Sequence, residues 1–400
     1  MFFRCLKKNV FAHENITSIL KNICYICKID FLCTNTGVNN VTKMEDKSQK
    51  IRIKDIAVLA GVSEGTVDRV LHNRGDVSEK SSDAVNKVLE EMNYKPNLFA
   101  RSLASKKHYR FVCMIPTFQQ EEYWERVDKG FNQAASDFLH HNVLIDKQYF
   151  NQFDVNSFIE VSKKILENEP DAVFLSPIFK NETLSFTDEL TTRRIPFSFI
   201  DSVISEANYL TYYGQHSFQS GYIAAKLLLG SLPEKSQVMV IRTHRKGSVS
   251  NQTISRYKGF MQFIEENNLH ENFNIINVEF KNDDEGANLK LLEKTFLNND
   301  AINAAITFNS KVYLLAKHLV SLNQTNIRLI GYDLLKPNVQ YLKEGVINYL
   351  IAQRPDKQAY FTVRDMCKEL IFKQKIKKVN FVPIDILLKE NIEDYLNFVE

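Results

Sequence analysis

Apolar residues between positions 53 and 92 recur at helical spacing in three short stretches. Ile53, Ile56, Ala57 and Ala60 fall at i, i+3, i+4 and i+7, one face of a helix that Gly61 ends. Ser63 is placed to cap a second helix, because its hydroxyl can accept from an orphan backbone N–H. Val67, Val70 and Leu71 form that helix's apolar stripe. The run His72–Asp76 breaks it. A third helix opens at Ser78, carries Val85, Val88, Leu89 and Met92 on one face, and closes near Asn93 before Pro96. Two short helices across a Gly-containing turn outline a helix-turn-helix, and an ordinary helical hairpin has the same outline.

Beyond residue 108 the period changes. Short apolar runs at Phe111–Pro116, Val143–Gln148, Ala172–Ser176, Phe197–Asp201, Val238–Arg242, Ile275–Phe280, Ala304–Phe308, Arg328–Tyr332 and Ile347–Ala352 read as strands, with amphipathic helical stretches between most of them. That alternation predicts parallel sheets with helices on both faces, and the length allows two such lobes side by side. Ligands of open α/β sheets sit beyond the carboxyl ends of the strands, so a two-lobed body would hold its ligand in the cleft.

Composition narrows the class. With 44% hydrophobic and 25% charged residues in 400, the chain matches average globular usage, which argues against disorder, collagen-like repeats and a membrane bundle. The net charge of +3 is unevenly spread. Residues 1–49 hold 7 basic and 4 acidic residues, 50–108 hold 11 and 8, and 109–400 hold 33 and 36, so the basic excess is entirely N-terminal. Four of the six cysteines lie in the first 33 residues, and Cys113 and Cys367 are isolated, which is no disulfide framework and fits a reducing compartment. The apolar stretch Ile16–Cys33 is interrupted by Lys21, Asn22, Lys28 and Asp30, well short of a membrane span, and no cleavable leader is evident. These features place the protein in the cytoplasm. Cys24 and Cys27 form one CxxC pair, too little on its own for a zinc site, and no metal is expected.

The run from Ile53 to Lys107 resembles the headpiece of the LacI/GalR family of bacterial transcription regulators. The resemblance lies in the AGVS turn (Ala60 to Ser63), the TVxRVL core (Thr66, Val67, Arg69, Val70, Leu71), the VS start of the third helix (Val77, Ser78) and the YxPNxxARSL segment from Tyr94 to Leu103. It implies a small all-α helix-turn-helix domain over 50–96, a hinge over 97–108 and a two-lobed, periplasmic-binding-protein-like α/β domain for effector binding and dimerisation over 109–400. Residues 1–49 are expected to be an unstructured extension. Because headpieces of this family start near the N-terminus, Met44 is read as the natural start, with 1–43 either untranslated or an unusual addition.

By the same resemblance Ser63, Glu64, Gly65, Thr66, Arg69 and Asn73 are the candidate DNA contacts of the headpiece. Arg69 is suited to two bonds with guanine, or else to a phosphate. Glu64 could accept from cytosine or complement its own helix end. Gly65 departs from members that carry a reading side chain there. Asn97, Arg101 and Leu103 belong to the hinge, whose leucine in the family wedges into the minor groove. The implied effector residues are Tyr123, Trp124, Asp201, Arg256 of an RxxGF motif, Asn309, Asp333 of GYD, and Gln353. Tyr123 and Trp124 could instead be helix core, and Arg256 and Asp333 an ion pair. No nucleotide-binding, zinc-protease or serine-hydrolase motif occurs, and no cofactor is expected. The sequence therefore predicts a dimeric regulator, a repressor, of a near-palindromic operator in double-stranded DNA, controlled by a small effector, most readily a sugar. A solute-binding protein of a transporter is the competing reading.

Overall fold

The computed structural model describes residues 52–71, 75, 77–92, 107–245, 248–281, 284–299 and 301–399. The chain divides into two compact units, with the boundary after Lys95. The first has three helices, α1 (Ile53–Ala60), α2 (Glu64–Leu71) and α3 (Glu79–Glu91). Gly61 ends α1 in the left-handed region at φ 64°, where a side chain would be strained, and its N–H returns to the α1 carbonyls. Ser78 caps α3 by accepting from the Ser81 N–H. Ile56, Ala57, Val67, Val85 and Val88 make a small interior, so the predicted stripes face one another.

The second unit carries two sheets. Its elements in chain order are β1 (Tyr109–Pro116), α4 (Tyr123–Phe138), β2 (Val143–Phe150), α5 (Val155–Glu167), β3 (Ala172–Leu175), α6 (Lys180–Thr192), β4 (Phe197–Asp201) and β5 (Thr211–Gln215). Then follow α7 (Ser217–Leu229), β6 (Ser236–Arg245), β7 (Ser248–Val249), α8 (Asn251–Glu266), β8 (Phe273–Lys281), α9 (Glu285–Asn298), β9 (Ile302–Thr307) and α10 (Val312–Ser321). The last elements are β10 (Arg328–Tyr332), α11 (Lys336–Lys343), β11 (Tyr349–Ala352), α12 (Pro355–Leu370), β12 (Val379–Val382), β13 (Asp385–Leu387) and α13 (Ile392–Val399).

The first lobe's sheet has the order β12-β5-β4-β3-β1-β2 and is parallel throughout. The second lobe's is β13-β11-β10-β9-β6-β7, with β8 also on β6 and antiparallel pairing only at β7 and β13. The central strands are buried on both faces, which is why they read as continuous apolar runs such as Val173–Leu175. The chain passes between lobes three times: after β5, after β11, and between β12 and β13. All nine predicted strands are present. The short strands β5, β7, β12 and β13 were not foreseen.

Two glycine contacts fix the helix that matters most for the cleft. A Cβ on Gly221 of α7 would lie 1.9 Å from the Arg256 carbonyl oxygen, and one on Gly259 of α8 would lie 1.9 Å from that of Phe218. Helices α7 and α8 thus touch backbone to backbone, which seats the amino-terminal half of α8 at the cleft.

Candidate functional site

On the three-helix unit, Ser63 and Thr66 are engaged with each other. The Ser63 Oγ accepts from the Thr66 N–H at 3.1 Å and shares a 2.9 Å bond with the Thr66 hydroxyl, so both serve the start of α2. Glu64, Gly65 and Arg69 are exposed, while Val67 is fully buried against the other two helices. Helix α2 therefore offers one polar edge with an exposed arginine and a bare glycine on it. Asn73, Asn97, Arg101 and Leu103 lie outside the described residues, as do most of the 97–108 hinge, the expected extension 1–49 and its CxxC pair.

In the two-lobed unit the strand ends converge on a polar network. Asp201 closes β4 and Asp333 follows β10, each with φ 69°, a left-handed backbone that aspartate tolerates better than most side chains. Asp201 Oδ1 accepts from the Tyr123 hydroxyl at 2.6 Å and from Gln252 Nε2 at 2.9 Å, and the same amide donates to the Asp201 carbonyl at 2.6 Å. Gln252 stands on α8 of the second lobe, so these bonds cross the cleft. Gln353, just past β11, accepts from Arg256 Nη2 at 2.6 Å through Oε1 and donates to Asp333 Oδ1 at 2.7 Å through Nε2. Its carbonyl accepts from Gln358 Nε2 at 2.8 Å, and Gln358 Oε1 in turn accepts from the Asp201 N–H at 3.1 Å.

Arg256 is 2% exposed. It donates to the Phe308 carbonyl at 2.7 Å and lies over the Tyr332 ring at 3.9 Å, which together stabilise a buried charge without a carboxylate in direct contact. The anticipated alternative of an Arg256–Asp333 ion pair is replaced by the Gln353 amide standing between them. Burial pushes the Asp333 carboxyl up to about 6, against the opposing pull of Arg256 and the Gln353 bond. Burial and the neighbouring Asp201 hold the Tyr123 phenol well above its ordinary value.

Of the residues predicted for the effector, Tyr123, Asp201, Arg256, Asp333 and Gln353 come together. Asn309 sits at the end of β9 but bonds elsewhere, to the Thr243 hydroxyl at 2.6 Å and the Lys311 N–H at 2.9 Å. Trp124 requires correction: it is 6% exposed and packs in the first lobe's interior with Phe111, Phe131 and Phe174. Consecutive helical residues point about 100° apart, so Tyr123 and Trp124 cannot both face the cleft. His216 caps α7 by accepting from the Gln219 N–H at 3.2 Å. Arg242 is tied to Glu279 at 2.9 Å.

Sequence reasoning missed Gln252, Gln358 and Arg126, although the first lies four residues before Arg256 and the last three after Tyr123, each on the same helical face. Arg126 joins Tyr123, Asp333, Gln353, Arg354 and Lys357 around a cavity of about 30 Å³, room for a water or two, far below the ~300 Å³ at which small-molecule sites begin. An exposed ion pair between Lys336 and Glu121, 3.1 Å, spans the two lobes beside it. The cleft is closed upon itself: its carboxylates and the amides of Gln252, Gln353 and Gln358 bond to one another, while the buried Arg256 Nε and Gln215 Oε1 have no partner among the described residues. Such a set suits a compact ligand rich in hydroxyls, which both donate and accept. Among the described residues no group of three or more His, Cys, Asp or Glu could hold a metal ion, and no helix is long and apolar enough to cross a membrane.

Comparison with known proteins agrees with this architecture. Residues 52–97 match the bacterial regulatory proteins of the lacI family, and residues 111–374 match a periplasmic binding protein domain. The HTH-type transcriptional regulator DegA of Bacillus subtilis is 28% identical over 219 residues, 54% of this chain and 61% of DegA. The sucrose operon repressor of Lactococcus lactis is 22% identical over 336 residues, 84% of this chain and 96% of that protein. A crystal structure from Bacteroides fragilis, assigned to the LacI transcriptional regulators, superposes with a TM-score of 0.68 at 36% identity, covering 72% of this chain and all of the other.

Proposed function

The chain belongs to the lacI family of bacterial regulatory proteins, a helix-turn-helix headpiece followed by a periplasmic-binding-protein-like domain, and on that premise we propose that it is a sugar-responsive repressor. It acts as a homodimer on a near-palindromic operator, in the cytoplasm where that DNA is, and a small polyol in the cleft controls its affinity. The observation that carries this is the pairing, in one chain, of an exposed polar edge on α2 around Arg69 with a cleft whose strand-end residues Asp201, Asp333 and Gln353 are buried and hydrogen-bonded. The sucrose operon repressor among its relatives supports a sugar as the effector.

DNA recognition then rests on Arg69 for direct base contact and on Ser63 and Thr66 for holding the start of the helix. Glu64 adds an acceptor, and bare Gly65 leaves that step unread. Asn73, with Asn97, Arg101 and Leu103 of the hinge, completes the surface. The effector contacts Tyr123, Asp201, Arg256, Asn309, Asp333 and Gln353. A ligand that rearranges the cleft would change the spacing of paired hinges, a coupling of about 1–3 kcal/mol between sites.

Solute-binding proteins share the two-lobed fold, and the headpiece is what separates this chain from them. Selection from random duplexes followed by gel shift over a range of salt tests the reading. The expected result is a sequence-preferring complex whose affinity falls steeply with salt and changes on adding the right sugar. Binding with no sequence preference would overturn it.

A further inference from the structure

Among the cations around the cavity, the two on the second crossover already have partners. Arg354 makes paired bonds to Asp385 at 2.6 and 3.0 Å, and Lys357 lies 3.6 Å from Asp356. Arg126 has neither a hydrogen bond nor an ion pair among the described residues, although it stands on the first turn of α4 with Tyr123 and lines the same cavity as Asp333. Its charge is near enough to hold down the Asp333 carboxyl, yet no ion pair forms between them. The guanidinium is half-buried at this cavity, and its fork of donors is open to an anionic group of whatever ligand enters. Asp333 and Gln353 line the same cavity and present acceptors and an amide.

We propose that the effector is an acidic sugar, a polyol bearing one carboxylate or phosphate, with hydroxyls toward Asp333 and Gln353 and the anion on Arg126. This deepens the effector reading above and rests on it. Asp333 and Gln353 would select hydroxyl-bearing ligands, while Arg126 would discriminate acids from neutral sugars. The amino end of α12, at Pro355–Lys357 on the same cavity, adds partial positive charge, which Asp356 in that first turn offsets in part. Entry requires the lobes to part, breaking the Lys336–Glu121 pair at the rim, an exposed bridge that opposes opening only weakly.

Calorimetry on the full chain with matched sets of probes tests this: an aldose, its uronic and aldonic acids, and its 6-phosphate, run across the common hexoses and pentoses. At low salt an acid should bind at least tenfold more tightly than its neutral parent, and that advantage should shrink as salt is raised. Comparison of the carboxylate and phosphate arms tells which anion is native. Arg126→Gln should abolish the preference while leaving binding of the neutral parent within a few-fold, and Arg126→Lys should restore part of it. If the variant fails to fold, the salt dependence of the unmodified protein decides the same question. A neutral sugar that binds as tightly as its acids, or a preference that survives Arg126→Gln, would overturn the acidic-sugar inference and leave the sugar-effector reading standing. Failure of every polyol, charged or not, would overturn both.

Discussion

Replacing Asp333 by asparagine separates what the cleft costs from what it does. The carboxyl is 7% exposed and burial raises it from 3.8 to about 6, with Arg256 and the Gln353 amide only partly compensating. In the unfolded chain the group ionises near 3.8, so between that pH and about 6 the folded state holds the extra proton. Stability then falls as pH rises through this window and is fully reduced above it. At 1.36 kcal/mol per tenfold, the penalty above pH 6 is about 3 kcal/mol. Asparagine keeps an Oδ1 to accept from Gln353 Nε2 and carries no charge to desolvate. Asp333→Asn should therefore be about 1–3 kcal/mol more stable than the unmodified chain at pH 7.5, with the advantage vanishing near pH 4, and should bind its effector more weakly. Urea unfolding at pH 4.5, 6 and 7.5, followed by far-UV circular dichroism and by the emission of buried Trp124, measures it. An advantage that does not change with pH, or a variant less stable at pH 7.5, would refute the reasoning.

Four further substitutions test other joints of the molecule. Gly259→Ala drives a methyl group to within 1.9 Å of the Phe218 carbonyl oxygen and should lower thermal stability by about 1–3 kcal/mol, whereas Gly65→Ala, whose nearest neighbour is the Ser63 Oγ at 3.7 Å, should be neutral or stabilising; differential scanning calorimetry compares the two. Ser63→Ala removes the side-chain bond to the Thr66 N–H and should destabilise the headpiece by about 1 kcal/mol in amide exchange, weakening DNA binding without altering which sequence is preferred. Arg69→Ala should do the reverse, leaving headpiece stability unchanged while relaxing selection at one base position by about 1–3 kcal/mol, measured by competition with operator variants.

The headpiece was readable residue by residue because its folding signals are local. Gly61 is the left-handed stop, Ser63 and Ser78 are caps, and the stripe through Ile56, Val67 and Val85 closes on itself. In the larger unit the central strands announced themselves by being apolar on both faces. Strand β5 did not, since TYYGQ spends its side chains on bonds to distant elements: Tyr212 to the Asp201 carbonyl, Tyr213 to Asp365, and Gln215 to the Ala352 carbonyl. Such a strand is defined by partners 11 to 152 positions away, and no short window of sequence contains them. The edge strands β12 and β13 are short and lie on either side of Pro383, which hides their period.

The cleft shows the same division more sharply. Asp201, Arg256 and Asp333 were legible because they sit at strand ends or in recognisable motifs, but Arg126 was not, and the three glutamines that join the charged groups were visible only in part. Gln353 was anticipated as a ligand contact, and its place between Arg256 and Asp333 was not. A primary amide donates and accepts at once, so Gln353 can satisfy a guanidinium and a carboxylate together, and Gln358 can link the Gln353 carbonyl to the Asp201 N–H. Gln252 then ties the second lobe to the first through the Asp201 that Tyr123 also engages. An entering hydroxyl has the same dual character and can take over these bonds one for one. The exchange of polar contacts is then close to balanced. Selectivity is then left to groups without a partner in the closed cleft: the buried Nε of Arg256, and Arg126, on which the proposed anion would sit.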